Sequence, residues 1–172
     1  MPAIALYLFC VFLLPGHANG EKIEWEAVYR TIYLNFPSVP LISTGQLHFW
    51  LTEQQEDRPL LLDARSPEEY AVSHLQGAHL APTVEEALRL IDKFGANRPI
   101  VTYCSVGYRS AALTKKLLEK GYYRVYNLEG SIFKWANEGR ELYQGDKRVS
   151  FVHPYDEVWG QLLDRQYWYK RQ

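Results

Sequence analysis

Cys104 stands at the carboxyl end of an apolar run, Ile100-Val-Thr-Tyr, and is followed by Ser105-Val106-Gly107-Tyr108-Arg109-Ser110 at the head of a helical stretch. A thiol attacks as the thiolate, and a loop of successive backbone N–H groups entering a helix N-terminus favours that anion and holds an oxyanion near the sulfur. Gly107 lets the backbone curl around one point, and Arg109 adds a fixed positive charge. In an open α/β sheet, ligands bind at the carboxyl edge of the strands, where this turn lies. Types and spacing together describe an activated nucleophile in an anion-binding loop. The competing reading makes Cys104 one more small buried hydrophobe at a strand end, as most lone cysteines are.

The elements that must position this loop are legible as an alternation. Short apolar runs are each followed by a helical stretch: Val39 to Ile42, then Ser43 to Leu51; Leu60 to Leu62, then Ser66 to Ser73; Ile100 to Tyr103, then Ser110 to Lys120; Val125 to Asn127, then Ser131 to Glu138. That order predicts an α/β domain with a central, mainly parallel sheet flanked by helices. Ser43 with Gln46, Ser66 with Glu69 and Thr83 with Glu86 are capping boxes, and Pro67 sits at the favoured first helical position. Val84, Ala87, Leu88 and Ile91 form one helix face, with Gly95 as a left-handed stop, and Gly121 ends the following helix in the same way. Val28, Ile32 and Phe36 share a spacing of four that suits an N-terminal helix packed on the domain, closed by Pro37.

The 172 residues, 47% hydrophobic and 15% aromatic, have room for a single sizeable core. With 19 basic and 20 acidic side chains the formal charge is −1, which gives no electrostatic reason to expect nucleic acid as a partner. Small molecules or other proteins are the expected partners. Residues 1–20 differ from the remainder: Ala3 to Pro15 is apolar, no charge precedes Glu21, and small residues suited to signal peptidase follow. This reads as an export signal, giving a periplasmic or secreted protein; a retained anchor over residues 3–15 or a start site upstream of a cytosolic domain are the alternatives. Cys10 would leave with a cleaved signal, and Cys104 would then have no partner for a disulfide.

Beyond the loop, Leu61-Leu-Asp63-Ala-Arg65-Ser-Pro-Glu68-Glu69-Tyr70, His74-Leu-Gln-Gly77-Ala78 and Gly130-Ser-Ile-Phe-Lys-Trp135 follow one another in an order and with gaps that resemble the single-domain rhodanese-like sulfurtransferases. Gln76 departs from the proline usual there. The resemblance runs from about Val39 to about Leu142 and implies a small doubly wound fold. It divides the chain into a signal (1–20), an N-terminal helical extension (21–38), the rhodanese-like domain (39–142) and an aromatic-rich C-terminal extension (143–172). It further implies that Cys104 carries sulfane sulfur as a persulfide and that the amides of Ser105, Val106, Gly107, Tyr108, Arg109 and Ser110 cradle it, with no metal or organic cofactor. Asp63, Arg65, Glu69 and His74 carry over as structural positions: Arg65 is expected to pair with a carboxylate such as Glu69, Asp63 to bond to backbone near the loop, and His74 to anchor a turn. Arg109 is expected to be a mostly exposed cation that steers a small anionic donor, the sulfur passing on to a thiol or cyanide.

Two other functions stay open at this level. The fold also occurs as a non-enzymatic binding or sensing module, and the tail from Phe151 to Gln172, with Tyr155, Trp159, Tyr167, Trp168 and Tyr169, would either wrap its own domain or dock on a protein partner. Cysteine-dependent phosphatases use a related loop, but with five residues between Cys and Arg where this chain has Ser105 to Tyr108.

Overall fold

The computed structural model describes residues 23–53, 57–95 and 97–170. The expected export segment, with Cys10, lies outside the described residues, among which no helix is long and apolar enough to cross a membrane.

Five parallel strands form the centre, in the spatial order β1 (Leu41–Ile42), β5 (Val125–Leu128), β4 (Ile100–Tyr103), β2 (Leu60–Asp63), β3 (His79–Leu80). The helices are α1 (Trp25–Asn35), α2 (Thr44–Glu53), α3 (Pro67–Val72), α4 (Val84–Phe94), α5 (Tyr108–Glu119) and α6 (Ser131–Asn137). Strand side chains alternate between faces, and the core divides accordingly. Leu61, Val101, Tyr103 and Leu128 pack under Val28 and Ile32 of α1, Leu47 of α2 and Ile132, Phe133 and Trp135 of α6. Leu60, Leu62, Ile100 and Val125 pack on the other side under Ala87 and Ile91 of α4 and Leu113 and Leu117 of α5. Helices on both faces of a parallel sheet give the flanked sheet that the alternation predicts and the doubly wound arrangement that the resemblance implies.

The helix starts follow the capping chemistry. Ser43 Oγ accepts from Gln46 N–H at 3.1 Å while Gln46 Oε1 accepts from Ser43 N–H at 3.0 Å, and Ser66 and Glu69 make the same reciprocal pair. At Thr83 only half of the box forms: its Oγ1 accepts from Glu86 N–H, but the Glu86 carboxylate takes the Thr83 hydroxyl instead of a backbone N–H. Gly95 has φ 99° and ψ 125°, a positive φ without the left-handed helical ψ expected of it.

Three elements differ from expectation. Helix α5 starts at Tyr108, two residues early, because Gly107 at φ 112° serves as its N-cap. Strand β3 has only two residues, too few to show a period. A hairpin of β6 (Leu142–Gln144) and β7 (Lys147–Val149) turns at Gly145, φ 58°, where the alternation of apolar runs predicts no strand. Beyond it the tail folds back on its own domain: Val152, Leu162 and Leu163 are buried, Val152 exchanges backbone hydrogen bonds with Tyr167 and Tyr169, and Asn137 of α6 holds Leu162 and Asp164.

Below the sheet edge lies a fully buried ion pair. Arg65 Nε and Nη2 donate to the Asp63 carboxylate at 2.6 to 3.1 Å, Arg65 N–H donates to Asp63 Oδ1 at 3.0 Å, and Nη2 also reaches Ser73 O at 2.6 Å. This ties the end of β2 to the end of α3. The expected partner Glu69 is not the one used: Asp63, two residues away, accepts the guanidinium side-on, and Glu69 is engaged elsewhere. Losing one member leaves an uncompensated buried charge, so Asp63→Ala or Arg65→Ala alone should cost about 3–5 kcal/mol, lowering Tm by roughly 10 °C or more. Asp63→Leu with Arg65→Met removes both charges and should recover much of the loss. Thermal denaturation of the three variants decides the matter; a double variant no better than the singles would show that charge burial is not the cost.

Candidate active site

Cys104 is the first residue after β4, and only 2% of its surface is exposed. Between it and the helix, Ser105, Val106 and Gly107 make one tight curl. Gly107 N–H donates to Cys104 Sγ at 3.1 Å, and Gly107 itself, at φ 112°, turns the chain from the curl into helix α5. A Cβ at this position would also stand 3.2 Å from Ile32 Cδ1 of α1. The amides of Tyr108, Arg109 and Ser110 belong to the first turn of α5 and are orphan donors of a helix N-terminus. The Val106 side chain is buried in the core, so this residue gives the loop only its backbone. The half-buried Tyr108 ring meets Phe36, just past α1, edge-on at 5.2 Å.

The carbonyl groups of the curl are held from behind. Ile132 and Phe133 N–H, in the first turn of α6, donate to Cys104 O and Ser105 O at 3.1 Å. Ser131 Oγ accepts from Cys104 N–H at 3.1 Å and donates to Leu128 O. Ser131 itself sits at φ 50°, a left-handed conformation that a non-glycine residue keeps only when its surroundings fix it. Asn127 Nδ2, at the end of β5, donates to Gly107 O at 3.0 Å, while its Oδ1 lies 2.6 Å from Ser110 Oγ. Only an amide nitrogen can face the Gly107 carbonyl, so Oδ1 faces Ser110 and takes its single hydroxyl proton.

Burial pushes the Cys104 thiol up, yet its pKa lies below the ordinary cysteine value because Arg109, the Ser110 hydroxyl and the N–H groups of Ser110 and Gly107 oppose that effect. Since Asn127 takes the Ser110 hydroxyl proton, Arg109 and the amides are the lasting contributors. The sulfur is therefore placed as a thiolate at neutral pH more readily than a free cysteine.

Arg109 is not the mostly exposed cation expected from the sequence. Its Nη1 and Nη2 donate to the two oxygens of Glu69, each at 2.8 Å, with 29% of the Arg109 side chain and 4% of the Glu69 side chain exposed. Nη2 reaches Ser105 Oγ as well, at 3.0 Å, and Ser105 Oγ donates to Glu69 Oε1 at 2.9 Å. Glu69 Oε2 also accepts from Ser66 N–H in the capping box. One carboxylate thus caps α3 and fastens the active-site arginine. Its role is more direct than the structural position expected for it. The face of the Arg109 guanidinium lies 5.0 Å from the Tyr155 ring.

The remaining expected positions lie apart from the sulfur. The Asp63 carboxylate bonds to Arg65, main chain and side chain, and not to the loop backbone. His74 pairs through its backbone with Tyr143 and stacks on Tyr70 at 4.3 Å; its Nδ1 lies 3.0 Å from Leu75 O, a contact that requires a proton on Nδ1. Asn127, Ser131 and Tyr155 are the site residues that sequence reasoning missed. Asn127 ends the strand beside the cysteine's and Ser131 opens the next helix, so the sheet-edge rule could have found both; nothing in the local sequence singles out Tyr155.

Glu69 generates a pH test. Burial raises its pKa, but hydrogen bonding and charge from Arg109, with the Ser66 N–H, hold the carboxyl down to about 2. A folded pKa below the unfolded value of about 4.3 means the unfolded chain binds the extra proton, so this stabilisation is complete above about pH 5 and is lost as pH falls toward 2. Wild type should exceed Glu69→Gln by on the order of 2–3 kcal/mol near neutrality, with the gap closing between pH 5 and 2 in denaturant melts. A gap that stays constant over that range would remove the ion pair from the account.

Comparison with known proteins agrees with the geometry. The rhodanese-like domain profile matches residues 48–138. The chain is 34% identical over 95 residues to tRNA uridine(34) hydroxylase of Chlamydia trachomatis serovar L2, and 30% identical over 134 residues to the protein of that name from Prochlorococcus marinus. These matches take in 51% and 68% of this chain but 29% and 43% of the relatives, so the chain spans less than half of their length. In fold it is similar to thiosulfate sulfurtransferase from Pseudomonas aeruginosa (TM-score 0.60, 22% identity, 72% of this chain and 23% of that one). It is also similar to a protein of unknown function from Rhodopseudomonas palustris described as a possible tyrosine phosphatase (TM-score 0.52, 19% identity, 74% and 100%). The profile covers more than half of the 172 residues, including the whole loop from Cys104 to Ser110, and the chain belongs to the rhodanese-like domain family.

Proposed function

We propose that the protein is a sulfurtransferase that carries sulfane sulfur on Cys104. The observation that carries this reading is the closure of the loop on the sulfur itself: Gly107 N–H bonds to Sγ, and the fork of Arg109 is already engaged by Glu69. A phosphoryl group would call for that fork in bidentate form, so the arrangement favours a sulfur anion over a phosphate ester, despite the fold shared with the possible phosphatase.

The chemistry balances without a cofactor. The Cys104 thiolate attacks the outer sulfur of thiosulfate, the S–S bond of the donor breaks, and sulfite leaves with the bonding pair. The resulting Cys104 persulfide is then attacked at its terminal sulfur by cyanide or a thiolate, and the Cys104 thiolate is regenerated. Three of the five Arg109 donors are engaged by Glu69 and Ser105, which leaves Nε–H and one Nη1 proton to meet an arriving anion. A nucleic-acid substrate, which the relatives' name carries, finds no support in a chain with 19 basic and 20 acidic side chains.

Incubation with thiosulfate should add the mass of one sulfur atom at the Cys104 peptide, cyanide should remove it as thiocyanate, and Cys104→Ser should show neither. An aryl phosphate should not be hydrolysed. Persistence of the adduct in Cys104→Ser, or phosphatase turnover lost in that variant, would overturn the assignment.

A further inference from the structure

The C-terminal segment delivers one aromatic ring to the site. Tyr155 lies well beyond the residues matched by the family profile, yet the Arg109 guanidinium carbon lies over its ring, 5.0 Å from the ring centroid. Its backbone is at φ 68°, a conformation that a non-glycine residue keeps only under constraint. The constraints are visible on both sides. Upstream, Val152 is bonded to Tyr167 and Tyr169, and His153 Nδ1 accepts from Tyr155 N–H at 3.1 Å. Downstream, Asp156 Oδ1 caps the N–H groups of Val158 and Trp159. The segment is pinned so that this residue, in a strained conformation, lies on the one cation of the cysteine loop. Burial first, then the charges of Arg109, Glu69, Asp156 and Cys104, act on the Tyr155 phenol, which places it within electrostatic reach of the sulfur. The sulfur itself is almost fully buried.

We propose that Tyr155 is a specificity-determining residue that roofs the Cys104 loop, so that small inorganic donors and acceptors reach the sulfur while bulky organic thiols and thiosulfonates are held off. A ring held against a guanidinium is a firm wall, because the cation–π contact and the Glu69 fork together hold the Arg109 group in place. The roof is built from this chain's own extension, so access to the sulfur is set outside the shared domain. The substrates named rest on the sulfur-transfer reading; the access claim does not.

Removing the ring without straining the backbone tests it. Tyr155→Gly and Tyr155→Asn both suit φ 68°, so folding should be retained and is checked by thermal denaturation; Tyr155→Phe keeps the wall. The first measurement compares kcat/KM for thiosulfate with that for benzenethiosulfonate, and for cyanide with that for glutathione. The second compares the rates at which iodoacetamide and a bulky aryl maleimide modify Cys104, mapped to its peptide. Both truncations should raise each large-to-small ratio by about 10-fold or more, with Tyr155→Phe within about twofold of wild type. If no variant transfers sulfur, the functional reading fails while the alkylation ratios still decide the roof. Ratios unchanged in folded Tyr155→Gly and Tyr155→Asn, or raised as strongly in Tyr155→Phe, would overturn it.

Discussion

A loop that turns the N–H groups of Gly107 and Ser110 onto one sulfur must turn carbonyl groups outward, and where those are buried each needs a donor. This constraint orders the rest of the structure. Cys104 O and Ser105 O are met by the first-turn N–H groups of α6, and Gly107 O by the Asn127 side chain at the end of β5. The elements after the cysteine loop are therefore as necessary to it as the strand that precedes it. Ser131 is held left-handed at the point where β5 turns into α6, which brings its hydroxyl to Cys104 N–H and the next two amides to the loop carbonyls. One short helix, placed by one strained residue, satisfies the back of the site while α5 supplies the front.

The charges follow a second logic. Glu69 and Arg109 are close to neutral as a pair, so the sulfur does not face an open cationic patch. A bare arginine would hold a dianionic product as firmly as it attracted a dianionic donor. With the arginine countered by a buried carboxylate its pull is reduced, and the directed amide dipoles act beside it, strong at the sulfur and falling away quickly outside the loop. A thiolate is stabilised, and in the proposed transfer a sulfur carried on it would stay within reach of the amides while a leaving sulfite would meet little that retains it.

Much of this was legible in the sequence, and the failures have physical causes. Capping boxes and the alternation of apolar runs located the sheet and helices because those signals depend on neighbours a few residues apart. Glu69 was visible as the capping partner of Ser66, but its grip on Arg109 joins residues forty positions apart, which no local pattern reports. The same limit misassigned Arg65, since Asp63 and Glu69 are both within reach along the chain and only the packed geometry distinguishes them. Helix α5 begins at Tyr108 because a glycine at φ 112° caps it without a side chain, leaving no Ser or Thr signal to read. The β6–β7 hairpin did carry a signal, Gly145-Asp146 between two short strands, of the kind that favours a two-residue turn.

The boundary of the shared domain is not the boundary of the site. Two segments outside the profile-matched residues touch the cysteine loop from opposite directions. From the N-terminal side, Ile32 Cδ1 stands 3.2 Å from where a Cβ on Gly107 would be and Phe36 meets the Tyr108 ring; from the C-terminal side, Tyr155 lies against Arg109. The central sheet fixes where the sulfur is and which way the amides point, because those depend on strand register and helix starts that the fold dictates. What surrounds the mouth depends on side chains carried by the extensions, which can change without disturbing the sheet. The place of the sulfur and the shape of its surroundings are thus built from different parts of one chain, and a likeness at about 20% identity conveys the fold alone.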